Sequence, residues 1–426
     1  MLKKLLQNET LNHIIVKGGI TFGLRMLSMV LSFGSMWFMT HLFGNAFYGV
    51  YSLSLTIMQL TALLFGLGLS ASFISFTGAF SDEALCRGLL IKCLRLALLA
   101  AILPAIIFIF GSGFISATVF DKPNIYPYLQ YIAIGMPALV LHELICYYFL
   151  SVKKIVTYGI FIFLLPNLLF FILLLVIYFG GIPHFYGFPA FAAAYVLTVI
   201  AGLLIIFLPG VSIKYPDFTF SVLLKKSVPM MVGGIFLTLL NWTDILMLGR
   251  YASEKDIGIY NNAFRLGYLS LFFVASMNAI IAPKVSELFY QQNFAEMKKV
   301  INRSTQLVIA LTLPLCLILI FMGKPLLGIF GQENVSGATT LTLITLGGLY
   351  NAMTGNVDMI LNMTGNQKLA SYIFFGGFVI NVLLNLYLIP AYGIEGAAGA
   401  SLICNIIVNT VFVIVIKKKL GFYTFV

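Results

Sequence analysis

A stripe of polar side chains follows one face of the first long apolar segment of the chain. Drawn as a helix, the segment places these residues within an arc of about 80°. They are Lys17, Thr21, Arg25, Ser28, Ser32 and Ser35. Because an ionisable group inside an apolar helix costs free energy, Arg25 predicts a hydrated cavity or a polar partner at that depth. Lys17 lies nearer the end of the segment, where its ammonium group either reaches the membrane surface or contacts a ligand.

Later apolar segments carry polar residues in similar stripes, which together predict one shared polar chamber. The groups suited to binding a polar ligand are Gln59, Asn241, Arg265, Tyr268 and Asn351. The carboxylates that could carry a coupling ion are Glu143, Asp244 and Asp358. Structural alternatives remain open, because Asp244 and Arg265 also fit an ion pair between neighbouring helices. The pairs Asn381/Asn385 and Asn405/Asn409 also fit hydrogen bonds that hold helices together.

The elements that must position these groups are helices in a membrane. Hydrophobic residues make up 61% of the 426 residues and charged residues 9%, against roughly 45–50% and 25% in a soluble domain. Continuous apolar runs of about 20 residues predict transmembrane helices, since a backbone in lipid must satisfy its own hydrogen bonds. We therefore predict an all-α integral membrane protein with twelve spans, at residues 13–38, 47–70, 88–111, 126–150, 156–179, 189–209, 222–248, 258–282, 302–322, 338–363, 369–390 and 395–416.

The distribution of the basic residues predicts the orientation of these spans. The chain has a formal net charge of +11 and 25 Lys and Arg residues. With the N-terminus in the cytoplasm, 18 of them lie in or beside cytoplasmic segments and 4 lie on the opposite side. This asymmetry predicts a multi-pass protein with both termini in the cytoplasm. Since topology accounts for the basicity, the charge does not indicate nucleic-acid binding.

Motifs for enzymatic chemistry are missing from the sequence. Gly323-Lys324 has no upstream glycine of a phosphate-binding loop, so ATP is not expected to be the direct energy source. The sequence His142-Glu143 is not followed by the second histidine of a zinc-protease motif. The four histidines and five cysteines show no metal-ligand spacing, and the cysteines are expected to be unpaired packing residues. We predict no catalytic residues, no metal and no cofactor.

Two short motifs recur about half a chain length apart. Gly49-Val-Tyr51 returns as Gly258-Ile-Tyr260 at an offset of 209, and Leu103-Pro104 returns as Leu313-Pro314 at an offset of 210. Duplication of this kind is frequent in transporters. Six spans is an even number, so both copies insert with one orientation and are related by a pseudo-twofold axis along the membrane normal. The predicted architecture is two six-helix lobes facing a central cavity, with boundaries at 1–209, 210–221 for a cytoplasmic linker, and 222–426.

Three stretches of the chain resemble the polysaccharide transporters of the MOP superfamily, which include O-antigen and capsule-unit flippases. Leu42-Phe-Gly-Asn-Ala-Phe-Tyr-Gly-Val-Tyr-Ser-Leu53 is similar to that family's L-G-x-x-x-Y-G-x-Y-x-L signature. In the second half, Asp256-Ile-Gly-Ile-Tyr-Asn-Asn-Ala-Phe-Arg-Leu266 adds to the likeness. Asn381-Val-Leu-Leu-Asn385 followed by Leu388-Ile-Pro-Ala-Tyr-Gly-Ile-Glu-Gly-Ala-Ala398 resembles the N-x-x-L-N and L-I-P-x-Y-G-x-x-G-A-A segment.

The resemblance implies a flippase in a bacterial inner membrane that works by alternating access. Its cargo would be a polyprenyl-diphosphate-linked oligosaccharide of the O-antigen or lipopolysaccharide pathways, coupled to H⁺ or Na⁺. Arg25 could hold the diphosphate, and amide and aromatic groups the sugars. Membrane lipids and other polysaccharide assembly proteins are the expected partners. The alternatives are a cation-coupled multidrug exporter of the same superfamily, a membrane-embedded polymerase or ligase, and a non-transporting scaffold.

Overall fold

A computed structural model gives the fold of the chain. It describes the backbone of residues 9–78, 80, 82–208 and 210–425, and the side chains in those ranges from residue 19 onward except at residues 233 and 279. Helices build this described part, and no strand occurs in it. The principal helices are α1 Glu9–Phe38, α2 Asn45–Phe65, α3 Leu69–Thr77, α4 Glu83–Phe110, α5 Tyr126–Ser151, α6 Leu165–Phe179, α7 Gly187–Ile206, α8 Phe220–Tyr251, α9 Glu254–Gly267, α10 Phe272–Tyr290, α11 Phe294–Phe321, α12 Ala338–Thr354, α13 Val357–Met363 and α14 Gln367–Leu420.

The helices confirm a multi-pass membrane protein. Within the described ranges, eight helices are long and apolar enough to cross a membrane, and two bent helix pairs raise the number to ten. Helix α14 has 54 residues, about 80 Å at 1.5 Å per residue, which is more than twice the thickness of the hydrocarbon layer. The backbone of Gly393 is not helical (φ 57°, ψ −131°), so α14 consists of two helices that meet there. The count of twelve spans stays a prediction.

The first compact unit comprises the described residues up to Phe38 and Ile57–Val232. Helix α5 lies at its centre, and its Met136, Leu144 and Phe149 are fully buried. Asp82 precedes helix α4 as its N-cap, and its carboxylate accepts a hydrogen bond from the Ala84 amide at 2.9 Å. Such an N-cap satisfies an amide that has no partner within the helix.

The segment that precedes α8 is bound along α4 inside this unit. Lys92 donates to the carbonyl oxygens of Pro216 and Phe218 at 2.7 and 3.0 Å. Lys214 forms an ion pair with Asp82 at 2.8 Å. The hydrogen bond from Lys214 lowers the pKa of the Asp82 carboxyl below its ordinary value, and the Ala84 amide contributes in the same direction. The predicted linker is therefore held by side chains and is not a free tether.

The second compact unit comprises Met39–Thr56 and Gly233–Val426. The first half of α2 thus belongs to it, together with α9 to α14. Ser253 caps α9 by accepting a hydrogen bond from the Asp256 amide at 3.1 Å, and Asn293 caps α11 through the Glu296 amide at 3.2 Å. All five cysteines of the chain are buried and free, which confirms that they are unpaired packing residues. The lobe boundaries 1–209, 210–221 and 222–426 remain predictions.

Candidate functional site

Helix α1 packs its polar face against α6 and the turn that precedes it. Asn167 donates a hydrogen bond to Ser28 at 3.0 Å. One helical turn away, the guanidinium carbon of Arg25 lies 5.9 Å from the centre of the Phe163 ring, a cation–π distance. Arg25 as a whole is nevertheless exposed, so the ring covers only part of the residue. Lys17 belongs to α1, but its side chain lies outside the described residues.

A wide helical turn at Ile160–Leu164 presents Phe163 to Arg25. These five residues form a π-helical turn, in which the hydrogen bonds of the helix are re-spaced. The carbonyl oxygen of Phe161 accepts a hydrogen bond from His142 Nε2 at 3.0 Å. His142 also packs edge-on against the Tyr195 ring, at 4.9 Å between centroids. His142 is therefore a packed histidine that supports the turn beneath Arg25.

The other predicted residues of the first unit lie on α2 and α5. Gln59 is half-buried on the second half of α2. Glu143 is exposed on α5, with Ser70 close enough to hydrogen-bond its carboxyl group.

The second unit contains a buried carboxylate surrounded by neutral donors. Asp244 is 1% exposed. It accepts hydrogen bonds from Tyr260 at 2.7 Å, from Asn385 at 2.7 Å, from Asn381 at 3.3 Å and from Ser401. Within the described side chains, the amide oxygen of Asn385 has no hydrogen-bond partner. A carboxylate next to a spare oxygen acceptor is an environment that suits a proton or a small hard cation.

A small cavity lies next to this carboxylate. Its volume is about 70 Å³, room for a few water molecules and too little for an oligosaccharide. Asn381 and Ser401, which bind Asp244, also line the cavity. Two residues predicted from the sequence, Asn241 and Tyr268, line it as well. Asn241 and Tyr268 thus line the same small cavity as two hydrogen-bond partners of Asp244.

The remaining predicted residues of the second unit have separate surroundings. Arg265 is half-buried and donates from Nε to the side-chain oxygen of Asn261 at 3.0 Å. Asn351 lies on α12 and donates to Asn409 at 3.4 Å. Asp358 lies in the first turn of α13. This helix follows the non-helical residue Gly355, at which α12 ends.

Several residues at these sites were not among the predicted ligands. Asn381 and Asn385 fit helix contacts equally well by their spacing, and Ser401 is not among the predicted ligands. The signal was present, since amides four residues apart point to one face, but the sequence does not show that this face meets Asp244. The sequence did not indicate Phe163, because no characteristic amino-acid composition marks the π-helical turn in which it lies.

The fold of the chain resembles that of solved transporters of the MOP superfamily. A solved "inward-facing conformation of a multidrug resistance MATE family transporter of the MOP superfamily" superimposes with a TM-score of 0.78, covering 94% of this chain and 98% of that one at 13% identity. The lipid II flippase MurJ superimposes with a TM-score of 0.76 over 95% of this chain and 87% of that one at 16% identity. At these identities the likeness concerns the fold alone.

The chain belongs to the family described as "Polysaccharide biosynthesis protein", which matches residues 15–289. The MatE family model also matches, over residues 229–387. Among curated proteins, the "probable low-salt glycan biosynthesis flippase Agl15" of Haloferax volcanii is 25% identical over 230 residues, 52% of this chain and 48% of that protein. The chain thus spans about half the length of this relative. These findings confirm the resemblance drawn from the motifs.

Proposed function

We propose that the protein is a flippase that moves a polyprenyl-diphosphate-linked oligosaccharide across a cytoplasmic membrane by alternating access. The family and its flippase relatives support this class of cargo. In this proposal twelve helices form two six-helix lobes, 1–209 and 222–426, related by a pseudo-twofold axis, with 210–221 as a cytoplasmic linker. Both termini face the cytoplasm of a bacterial cell, and the cargo belongs to O-antigen or lipopolysaccharide synthesis with other assembly proteins as partners.

The observation that carries the choice of cargo is the exposed guanidinium of Arg25 on an apolar helix. A diphosphate head carries several negative charges, and a guanidinium binds phosphate oxygens through paired N–H donors. The cation–π contact with Phe163 limits the rotamers of Arg25 and still leaves its donors available. Lys17, Gln59, Asn241, Arg265, Tyr268 and Asn351 complete the proposed set of residues for the head group and the sugars.

Asp244 is the best supported of the three proposed coupling carboxylates. It is buried, it has four neutral donors, and a cavity of ionic size adjoins its partners. Because the donors around Asp244 are neutral, binding of H⁺ or Na⁺ changes the net charge of the site. If the two conformations bind the ion with different affinities, this binding shifts the equilibrium between them. Glu143 and Asp358 remain proposals with fewer supporting contacts.

A cation-coupled multidrug exporter is the second candidate, because the MatE model matches residues 229–387. Such an exporter binds cationic drugs and favours an acidic cavity. The polar face of α1 carries Arg25 and no carboxylate, which favours an anionic cargo.

Flipping of a defined polyprenyl-diphosphate glycan in proteoliposomes tests the proposal. Wild-type protein is expected to move the glycan, faster with a proton or sodium gradient, and Arg25→Ala is expected to abolish movement. Arg95→Ala is the matched control, since Arg95 is an exposed arginine of α4 at the predicted cytoplasmic surface. Normal flipping by a correctly inserted Arg25→Ala variant, or equal movement in protein-free vesicles, would overturn the assignment. Export of cationic dyes without glycan movement would favour the exporter.

A further inference from the structure

The repeated G-[VI]-Y motif forms a contact between its two copies. Gly49 of α2 and Gly258 of α9 lie face to face, both in the second compact unit. A Cβ atom at Gly49 would overlap the Glu254 carbonyl oxygen and come within 2.9 Å of the Gly258 nitrogen. A Cβ atom at Gly258 would overlap the Asn45 carbonyl oxygen and lie 3.2 Å from the Gly49 nitrogen. Only glycine on both helices allows the backbones to approach this closely.

Polar side chains surround this crossing and join the same two helices. Tyr48 donates to the side-chain oxygen of Asn261 at 3.1 Å. Asn262 donates to Asn45 at 3.4 Å and to Asn334 at 2.7 Å. All five residues are buried.

An ion pair covers the end of the crossing. Glu333 accepts from Lys255 at 2.8 Å and from Asn45 at 3.3 Å. The Lys255 ammonium lowers the pKa of the Glu333 carboxyl, and the Asn45 amide adds to this effect. The contact is therefore closed by charged groups at its solvent side.

One turn of α9 also contacts the proposed coupling residue Asp244 and the proposed head-group ligand Arg265. Tyr260 donates to Asp244 at 2.7 Å. The side-chain oxygen of Asn261 accepts from Tyr48 and from Arg265 at the same time. Consecutive residues of α9 therefore contact the glycine crossing, the buried carboxylate and a candidate head-group ligand.

We propose that the Gly49–Gly258 crossing is the outer latch of the transporter, and that Tyr260 and Asn261 connect it to Asp244 and Arg265. The crossing lies at helix ends that the basic residues assign to the side away from the cytoplasm. An anion that draws Arg265 away removes one of the two bonds that fix the Asn261 side chain opposite Tyr48 and so lets that side chain turn. A change at Asp244 acts through Tyr260. The cargo and the outward orientation of the latch rest on the proposed function, whereas the contact between the two glycines does not.

Labelling of a cysteine beneath the latch tests the proposal without any cargo. Ser52 lies one turn from Gly49 and is 1% exposed. Within the described contacts, its hydroxyl group donates to the Gly49 carbonyl oxygen of its own helix. Ser52→Cys is treated from the outer side with a membrane-impermeant maleimide, and the five buried native cysteines provide the background. We expect slow labelling, accelerated at least tenfold by Gly258→Ala. Gly376→Ala is the matched control, because nothing lies within 4 Å of a Cβ atom there, and it should change nothing.

Two further labelling experiments, one with a single variant and one with a pair of variants, test the latch if Gly258→Ala does not insert. Tyr48→Phe keeps the buried ring and removes one hydrogen bond, so labelling should accelerate about fivefold. The change in labelling caused by Asp244→Asn should disappear in a Tyr260→Phe background, since that bond carries the connection. Unchanged labelling in folded Gly258→Ala or Tyr48→Phe protein, or strictly additive effects of the last pair, would overturn the latch. If the variants change labelling as expected but the wild type does not flip the glycan, the proposed cargo is refuted and the latch is not.

Discussion

Replacement of Asp244 separates its structural role from its charge. In Asp244→Asn, the amide oxygen can still accept from Asn381 and Asn385, and the amide nitrogen faces Tyr260 and Ser401, whose hydroxyls can turn to accept. This variant should lower the free energy of unfolding by about 1 kcal/mol. Asp244→Leu offers no acceptor to the buried donors of Tyr260, Asn381 and Asn385 or to the half-buried Ser401. At about 1 kcal/mol for each buried donor, the loss is about 3 kcal/mol.

Thermal denaturation in detergent and glycan flipping under an ion gradient measure the two roles independently. Both variants should lose the response of flipping to a Na⁺ or proton gradient, because neither carries a titratable charge. Only Asp244→Leu should show a strongly lowered melting temperature. Asp217→Asn, in the exposed segment before α8, is the control and should resemble wild type in both assays. A gradient response retained by Asp244→Asn, or a melting temperature of Asp244→Leu equal to that of Asp244→Asn, would refute this reasoning.

Two other predictions concern the first unit. Phe163→Leu removes the ring under Arg25, a contact of about 0.5–1 kcal/mol. The glycan concentration at half-maximal flipping should therefore rise about two- to fivefold, with Phe163→Tyr close to wild type; a fully normal Leu variant would show that the ring does not position Arg25. Asp82→Asn should speed tryptic cleavage after Lys214 at neutral pH, whereas Asp217→Asn should not. The pKa of Asp82 is lowered from 3.8 by its hydrogen bond with Lys214, and the same bond raises the pKa of Lys214 from 10.5. The ion pair of the wild type should therefore persist between these two pH values and be lost only outside them, as amide hydrogen exchange of 211–216 would show.

The positions of most long apolar helices were predictable from the sequence, whereas their irregularities were not. Apolar length alone locates α4 and α11, since about 20 apolar residues leave the backbone no other structure in lipid. The break at Gly393 and the π-helical turn at 160–164 depend on packing against neighbouring helices. Composition therefore does not indicate them.

The candidate site was predictable residue by residue but not as an arrangement. Asp244 and the amides of Asn381 and Asn385 all stood out as polar groups in apolar helices. Their mutual contacts join positions 137 and 141 residues apart, and no local pattern encodes such a distance. For the same reason the sequence singled out Gly49 and Gly258 as a repeat and gave no sign that the two copies touch.

The crossing of Gly49 with Gly258 also constrains how the protein is made. The first glycine leaves the ribosome 209 residues before the second, an interval of about 10–40 s at 5–20 residues per second. During that time the start of α2 has no α9 to pack against, so Asn45 and Tyr48 lack the partners that they have in the folded protein. The earliest part of the second compact unit must therefore wait until α9 has been synthesised, and a substitution at either glycine would hinder the contact that ends this interval.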